Sequence, residues 1–187
     1  MDKQPLLLDR STIVTLLNDV AREAVRREIE ISMFLVGGAA MALAYSTARV
    51  TRDVDGMFEP KAIVYEIARM ISRERTDLGL AEDWLNDAAK SFMPGNDPDA
   101  TVVFEEPGLS VRVASPRYLF VMKAMAGREA DLDDLRMLYR LAGYQQASQA
   151  IADVALAYPI ATIRPSVQYL IEGLAEERRD ETRSSRR

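Results

Sequence analysis

Cysteine and histidine are both missing from the 187 residues. Their absence excludes disulfide frameworks, thiolate or imidazole zinc sites, Cys-His nucleophiles and every triad that uses histidine as its base. Catalysis by this chain has to run on carboxylates, Lys, Arg, Ser, Thr or Tyr. Long apolar runs are missing too. None approaches the roughly 18 residues of a membrane-spanning helix, and the opening MDKQPLLLDR lacks the extended apolar centre of a signal peptide. The expected location is the cytoplasm, with no membrane partner. Lysine is scarce, four against 20 arginines, and Trp84 is the only tryptophan.

What is present is a chain 48% hydrophobic and 28% charged, enough to bury a core in about one domain and to exclude disorder and fibres. The net charge of −5 does not announce a nucleic-acid binder, but it is unevenly placed. The last ten residues, RRDETRSSRR, carry five Arg against Asp180 and Glu181, a net of +3 that leaves −8 on the rest. A solvated, disordered basic tail over 178–187 is expected, with a phosphate-binding arm as the alternative.

Ser11 followed by Ile13, Leu16, Leu17, Val20, Ala24 and Val25 predicts an amphipathic helix over 11–29. Residues 31–36 read as a short buried strand running into Gly37-Gly38, and AAMALAY after them has strong helix-forming composition. Residues 49–58 alternate as a second strand. Pro60 opens a helix to about 75, and a short helix over 82–90 carries Trp84. TVVFEE and LSVRVAS flank Pro107-Gly108 as a hairpin joining the same sheet. Ser115-Pro116 caps a helix through Lys123 that Gly127 stops, and a further helix over 131–142 buries Leu135, Leu138 and Leu141. The rest to about 175 is helical, broken near Pro159 and Pro165. The expected class is α/β (α+β), a mixed-sheet core over 1–115 with a helical part over 116–177 packed on it.

The segment FLVGGAAMALAYSTARVTRDVDGMF, residues 34–58, carries the chemistry. Residues i and i+2 of a strand share a face, so Asp53 and Asp55 point one way. Their charges repel, and a hard divalent cation, Mg²⁺ or Mn²⁺, relieves that cost and binds phosphate oxygens in turn. Gly37 and Gly38 at a helix start let the backbone approach an anion closely. Each half has an ordinary structural explanation, a turn or a solvated edge. Together, with 14 residues between them for one short helix and a return, they describe a metal-triphosphate site.

Gly37, Gly38, Ala40, Arg49, Thr51, Asp53, Val54 and Asp55 resemble the Gly-Gly-x-Ala, helix, Arg-x-Thr-x-Asp-hydrophobic-Asp pattern of bacterial nucleotidyltransferases of the abortive-infection and toxin-antitoxin type. The mycobacterial toxins that transfer nucleotides to tRNA are among them, within the DNA polymerase beta-like superfamily. Trp84-Leu85-Asn86-Asp87 is similar to a signature of one branch, and SPRYLFVMKAMAGREADLDDL to a later helical segment, which carries over Lys123, Arg128, Asp131 and Asp134. The resemblance implies a nucleotidyltransferase-like mixed sheet and transfer of a nucleoside monophosphate from an NTP to an acceptor hydroxyl. It further implies Mg²⁺ on Asp53 and Asp55, Gly37, Gly38, Lys123 and Arg128 neutralising the triphosphate, and Asp131 orienting Lys123 or serving as base. Arg49 and Thr51 would brace phosphates, the acceptor would be tRNA, and a cognate antitoxin protein would restrain the enzyme.

Departures accompany the likeness. Where the superfamily places a third carboxylate on a neighbouring strand, this chain has Val111-Arg112-Val113, with Glu105 and Glu106 expected in the turn nearby. Ala39 and Ala44 replace a common serine and histidine. The alternatives are therefore a small-molecule transferase of the antibiotic-modifying kind, a protein-modifying one, or a non-catalytic nucleotide-binding module. Trp84 reads as core more readily than as a base-stacking platform.

Overall fold

The computed structural model describes residues 7–46 and 48–184. The chain falls into two compact units, the first made of Met1–Ser91 with Asp99–Ala114, the second of Phe92–Pro98 with Ser115–Arg187.

In the first unit, α1 (Arg10–Arg26) starts because the Asp9 carboxylate accepts the Thr12 N–H at 2.8 Å and the Ser11 hydroxyl at 2.9 Å. The N-cap is thus Asp9 and not Ser11, and the donors hold the Asp9 carboxyl below its ordinary range. β1 (Ile31–Leu35) leads into a short helix, α2 (Gly37–Ala40), which relaxes into a π-helical turn over Met41–Tyr45. Tyr45 ties that turn down by donating its hydroxyl to the Ala114 carbonyl at 2.7 Å. β2 (Val54–Glu59) and α3 (Lys61–Glu74) follow, then a two-residue β3 (Leu85–Asn86), a 3-10 turn over Ala88–Phe92, and the hairpin β4 (Thr101–Glu106) and β5 (Leu109–Val113).

The described strands form one sheet in the order β3-β2-β1-β5-β4. β1 pairs parallel with β5 and antiparallel with β2, so the sheet is mixed as expected. Residues of β1, β2 and β5 alternate: Ile31, Met33, Leu35, Val54, Phe58, Leu109, Val111 and Val113 are buried, while Ser32, Met57, Glu59 and Arg112 are exposed. The buried face meets the apolar stripes of α1 (Ile13, Leu16, Leu17, Val20) and α3 (Val64, Ile67, Ile71).

Three expectations are corrected here. β2 begins at Val54, and Val50 is 41% exposed, because an isolated bridge between Leu8 and Thr51 replaces the front of the expected strand. The helix over 82–90 is instead a turn, β3 and the 3-10 turn: Trp84, buried and donating its indole N–H to the Ala68 carbonyl at 3.0 Å, accepts the Val54 N–H at 2.6 Å and so lays the next residues beside β2. Glu105 and Glu106 stand on β4 and not in the turn, Glu105 accepting the Ser110 hydroxyl across the hairpin at 2.8 Å.

The second unit is helical: α4 (Pro116–Ala126), a 3-10 turn (Glu129–Asp131), α5 (Leu132–Leu141), α6 (Ala147–Ala157) and α7 (Pro165–Ser184). Ser115 caps α4 and is itself held by the buried Asp97, whose carboxylate accepts the Ser115 N–H at 2.7 Å and its hydroxyl at 3.0 Å. Gly127 ends α4 at φ +62°, the left-handed C-terminal position that glycine favours. Phe120, Tyr139 and Tyr144 stack into an aromatic centre with centroid separations of 5.1–5.8 Å. Leu141, expected in the core, is half-exposed at the end of α5. The segment expected as a disordered tail from 178 is helix to Ser184, and residues 185–187 lie outside the described residues. Among the described residues no helix is long and apolar enough to cross a membrane.

Candidate active site

The end of β1 is fixed to β2 by the Val36 N–H, which donates to the Asp55 carbonyl at 2.9 Å. The next two residues are glycine for different reasons. Gly37 has φ +62°, where an L side chain costs about 1–2 kcal/mol. A Cβ on it would meet the Asp55 Oδ2 at 3.5 Å, an ordinary contact. Gly38 has no space: a Cβ would fall 2.5 Å from the Thr51 Oγ1 and 2.7 Å from the Thr51 Cβ. Thr51 cannot simply retreat, since its N–H donates to the Leu8 carbonyl at 3.0 Å and its carbonyl accepts the Leu8 N–H at 2.7 Å. The diglycine backbone therefore lies directly against Asp55 and Thr51, and four of the predicted residues share one place.

A third glycine escaped the sequence reading. A Cβ on Gly56 would lie 2.4 Å from the Phe34 carbonyl oxygen, so only glycine lets β2 close on β1 right after Asp55. A glycine inside an otherwise regular strand pattern was the available signal.

Asp55 is on β2 and half-buried. Asp53 is on the bend just before the strand, also half-buried, and the exposure alternation of Asp53, Val54, Asp55 and Gly56 continues that of β2. Arg49 is half-buried in the segment leading to Thr51. On its other side Asp55 is registered with Asn86 of β3. Asp87, one residue on, accepts the Lys61 ammonium at 2.5 Å and the Tyr65 hydroxyl. The Lys61 charge and the Tyr65 donor hold the Asp87 carboxyl below its ordinary range. This cluster anchors β3 to α3 and was not foreseen as such.

In the second unit, Lys123 is buried. Its ammonium is bonded to Asp131 Oδ1 and lies 2.9 Å from Asp134 Oδ2, with the three side chains only 11%, 13% and 7% exposed. α4 supplies the cation, the 3-10 turn and the first turn of α5 supply the acids, and the helix start favours carboxylates there. Arg128 is exposed and stands at the N-cap position of that 3-10 turn, without a capping bond from its side chain.

At the third-acid position, Arg112 is exposed on β5 and registered with Phe34 of β1 and Val102 of β4. Among the described residues, no group of three or more carboxylates is placed to hold a metal ion.

Residues 12–140 match the model of a family described as nucleotidyltransferase of unknown function (DUF6036). The chain belongs to this nucleotidyltransferase family. The matched span contains the diglycine, both aspartates of the β2 region and the Lys123 cluster. No curated protein and no solved structure matches the chain.

Proposed function

We propose that this nucleotidyltransferase moves a nucleoside monophosphate from an NTP to a hydroxyl of RNA, in the first instance tRNA, and that it acts as a toxin restrained by a cognate antitoxin protein. The supporting observation is the approach of the Gly37-Gly38 backbone to the Asp55 carboxylate and the Thr51 hydroxyl. Nothing larger than hydrogen fits at Gly38, so this closeness is a requirement of the fold.

The donor set fits Mg²⁺. Two carboxylates with no third among the described residues match an ion that binds through one or two protein acids and completes its shell with water and phosphate oxygens. Asp53 and Asp55 would hold it, and when bound it neutralises charge on the phosphates and the leaving group. Gly37 carries no side chain to obstruct a phosphate chain, and Thr51 offers it a hydroxyl donor. The acceptor oxygen bonds to the α-phosphorus, the bond from that phosphorus to the bridging oxygen breaks, pyrophosphate leaves, and the acceptor's proton passes to water. The resemblance gives Lys123 and Arg128 a share in neutralising the triphosphate. The Lys123–Asp131 bond supports the orienting role for Asp131 over that of base.

The test is incubation with Mg²⁺, each α-labelled NTP in turn and total RNA. Label on RNA supports the reading. Label only on an added aminoglycoside or protein moves the acceptor to one of those classes. Retained NTP binding without turnover favours the non-catalytic module, which the arginine at position 112 motivates.

A further inference from the structure

The second unit contains a cavity of about 250 Å³ lined by Gln145, Arg178, Arg179, Thr182 and Arg183. It is smaller than the roughly 300–1,000 Å³ of small-molecule pockets, and three of its five walls are guanidinium groups. No acid lines it.

The charges on α7 are sorted by face. Glu177 and Glu181, one turn apart, turn towards α5, where Arg136 donates to Glu177 at 2.8 Å and Arg140 to Glu181 at 2.9 Å. Arg178 and Arg179 are left on the cavity side, and among the described residues neither has a carboxylate within 4.0 Å. Arg178 is set in position by donating to the carbonyls of Tyr139 and Tyr144, and Arg179 by donating its Nε to the Ala175 carbonyl at 3.3 Å. Arg183 has only a 3.8 Å contact with Asp180, both largely exposed.

Tyr139, whose backbone carbonyl accepts from Arg178, is the buried residue that these arginines cover. Tyr139 is 1% exposed and its hydroxyl is buried without a hydrogen-bond partner. Burial raises the Tyr139 hydroxyl above its ordinary range, while the charges of Arg178 and Arg179 act on it in the opposite sense, so both guanidinium groups stand within electrostatic reach. Three arginines lining one cavity call for an anion with several acceptor oxygens. A phosphate group has these, and planar guanidinium forks match it two oxygens at a time.

We infer that this cavity holds a backbone phosphate of a single-stranded stretch of the acceptor RNA. The inference deepens the acceptor half of the function proposed above and rests on it for the choice of RNA. Arg179 and Arg183 are four residues apart on one helix face, about 6 Å along the axis, so they present two cations in a row. Contacts of this kind are independent of sequence and supply affinity and register, leaving selection of the modified hydroxyl to other residues.

Binding of a fluorescent 20-nucleotide single-stranded RNA to the full chain, followed by anisotropy over a salt series without NTP or Mg²⁺, tests this apart from transfer. Wild type should bind with an affinity that falls with salt. The charge-reversed pair R179E/R183E should bind at least tenfold more weakly, with a salt slope shallower by about 1.4, two contacts at about 0.7 each. Both side chains are exposed, so the fold should survive, and R179Q/R183Q serves if the reversal does not fold. Asp55→Ala should bind RNA like wild type, so a failure of transfer and a failure of the cavity are told apart. Equal RNA binding by wild type and R179E/R183E overturns the inference, as does protection by inorganic phosphate with no RNA binding.

Discussion

Replacing Lys123 by methionine keeps most of its volume and removes only the ammonium that two buried carboxylates share. Asp131 and Asp134 both reach one nitrogen, so their nearest oxygens lie within about 5 Å of each other. Two unit charges at that distance repel by about 3 kcal/mol at an effective dielectric of about 20. Breaking a buried ion pair from one side costs about 3–5 kcal/mol in general, the same range. For a chain of this size each kcal/mol lowers the melting temperature by about 2–4 °C, so Lys123→Met should melt roughly 6–20 °C below wild type. Adding Asp134→Asn removes one of the two like charges and should recover a substantial part of the loss. Thermal melts followed by circular dichroism at pH 7, on the two variants and wild type, carry the test. A Lys123→Met protein that melts within about 2 °C of wild type would refute the reasoning, because the cluster would then be solvated and its acids free to separate. Kinetics on the same proteins divide structure from function: if Lys123 also meets the triphosphate, the double variant should regain stability yet still need more NTP for half-maximal rate.

Four further outcomes follow from the same structure. Gly38→Ala should lose about 1–3 kcal/mol in urea melts, the usual cost of overpacking, and Thr51→Gly in the same chain should relieve it, whereas additive losses would show that the two residues do not touch. Trp84→Ala should cost about 3–5 kcal/mol and loosen β3, read as faster hydrogen exchange at Val54; slow exchange retained there would place the anchor elsewhere. Tyr139→Phe should be neutral or stabilising by about 1 kcal/mol, since the buried hydroxyl has no partner to lose, and a clear drop in melting temperature would reveal one. The Asp87 carboxyl is depressed in the fold, so the stability it contributes is present above its ordinary value of 3.8 and is lost as the pH falls through its lower folded value. Wild type should therefore be more stable than Asp87→Asn at pH 6 and converge with it as the pH falls below that ordinary value, as seen in melting temperature against pH.

The parts of the fold that were legible in the sequence are those set by local rules. A short apolar run marked β1, the Pro107-Gly108 turn marked the β4–β5 hairpin, the apolar stripe marked α1, and Ser115, Pro116 and Gly127 bracketed α4 because capping and left-handed backbone are properties of single residues. The misread parts depend on which of several candidate partners a group takes and on where an element ends. Asp9 took the cap from Ser11 because its carboxylate reaches both the Thr12 N–H and the Ser11 hydroxyl. The 82–90 segment has a helix-compatible composition, but Trp84 is buried against α3 and its carbonyl is claimed by Val54. Leu141 continues the spacing of Leu135 and Leu138, yet α5 ends there and leaves it half-exposed. At the candidate site, the pairing of Gly37 with Asp55 was implied by the motif. The separate reasons for the two glycines, the need for Gly56, and the sorting of charges along α7 depend on distances that spacing alone does not contain.

The central claim is that Asp53 and Asp55, beside the diglycine, run nucleotidyl transfer. Its most direct measurement is the rate of incorporation from α-labelled NTP into RNA by wild type, Asp53→Asn and Asp55→Asn, with matched circular dichroism spectra. The account predicts robust labelling by wild type and a loss of at least about a thousandfold in each variant, close to the ~4 kcal/mol that one lost electrostatic contact of this kind can remove from a transition state. Labelling by a correctly folded Asp55→Asn protein at the wild-type rate would contradict it.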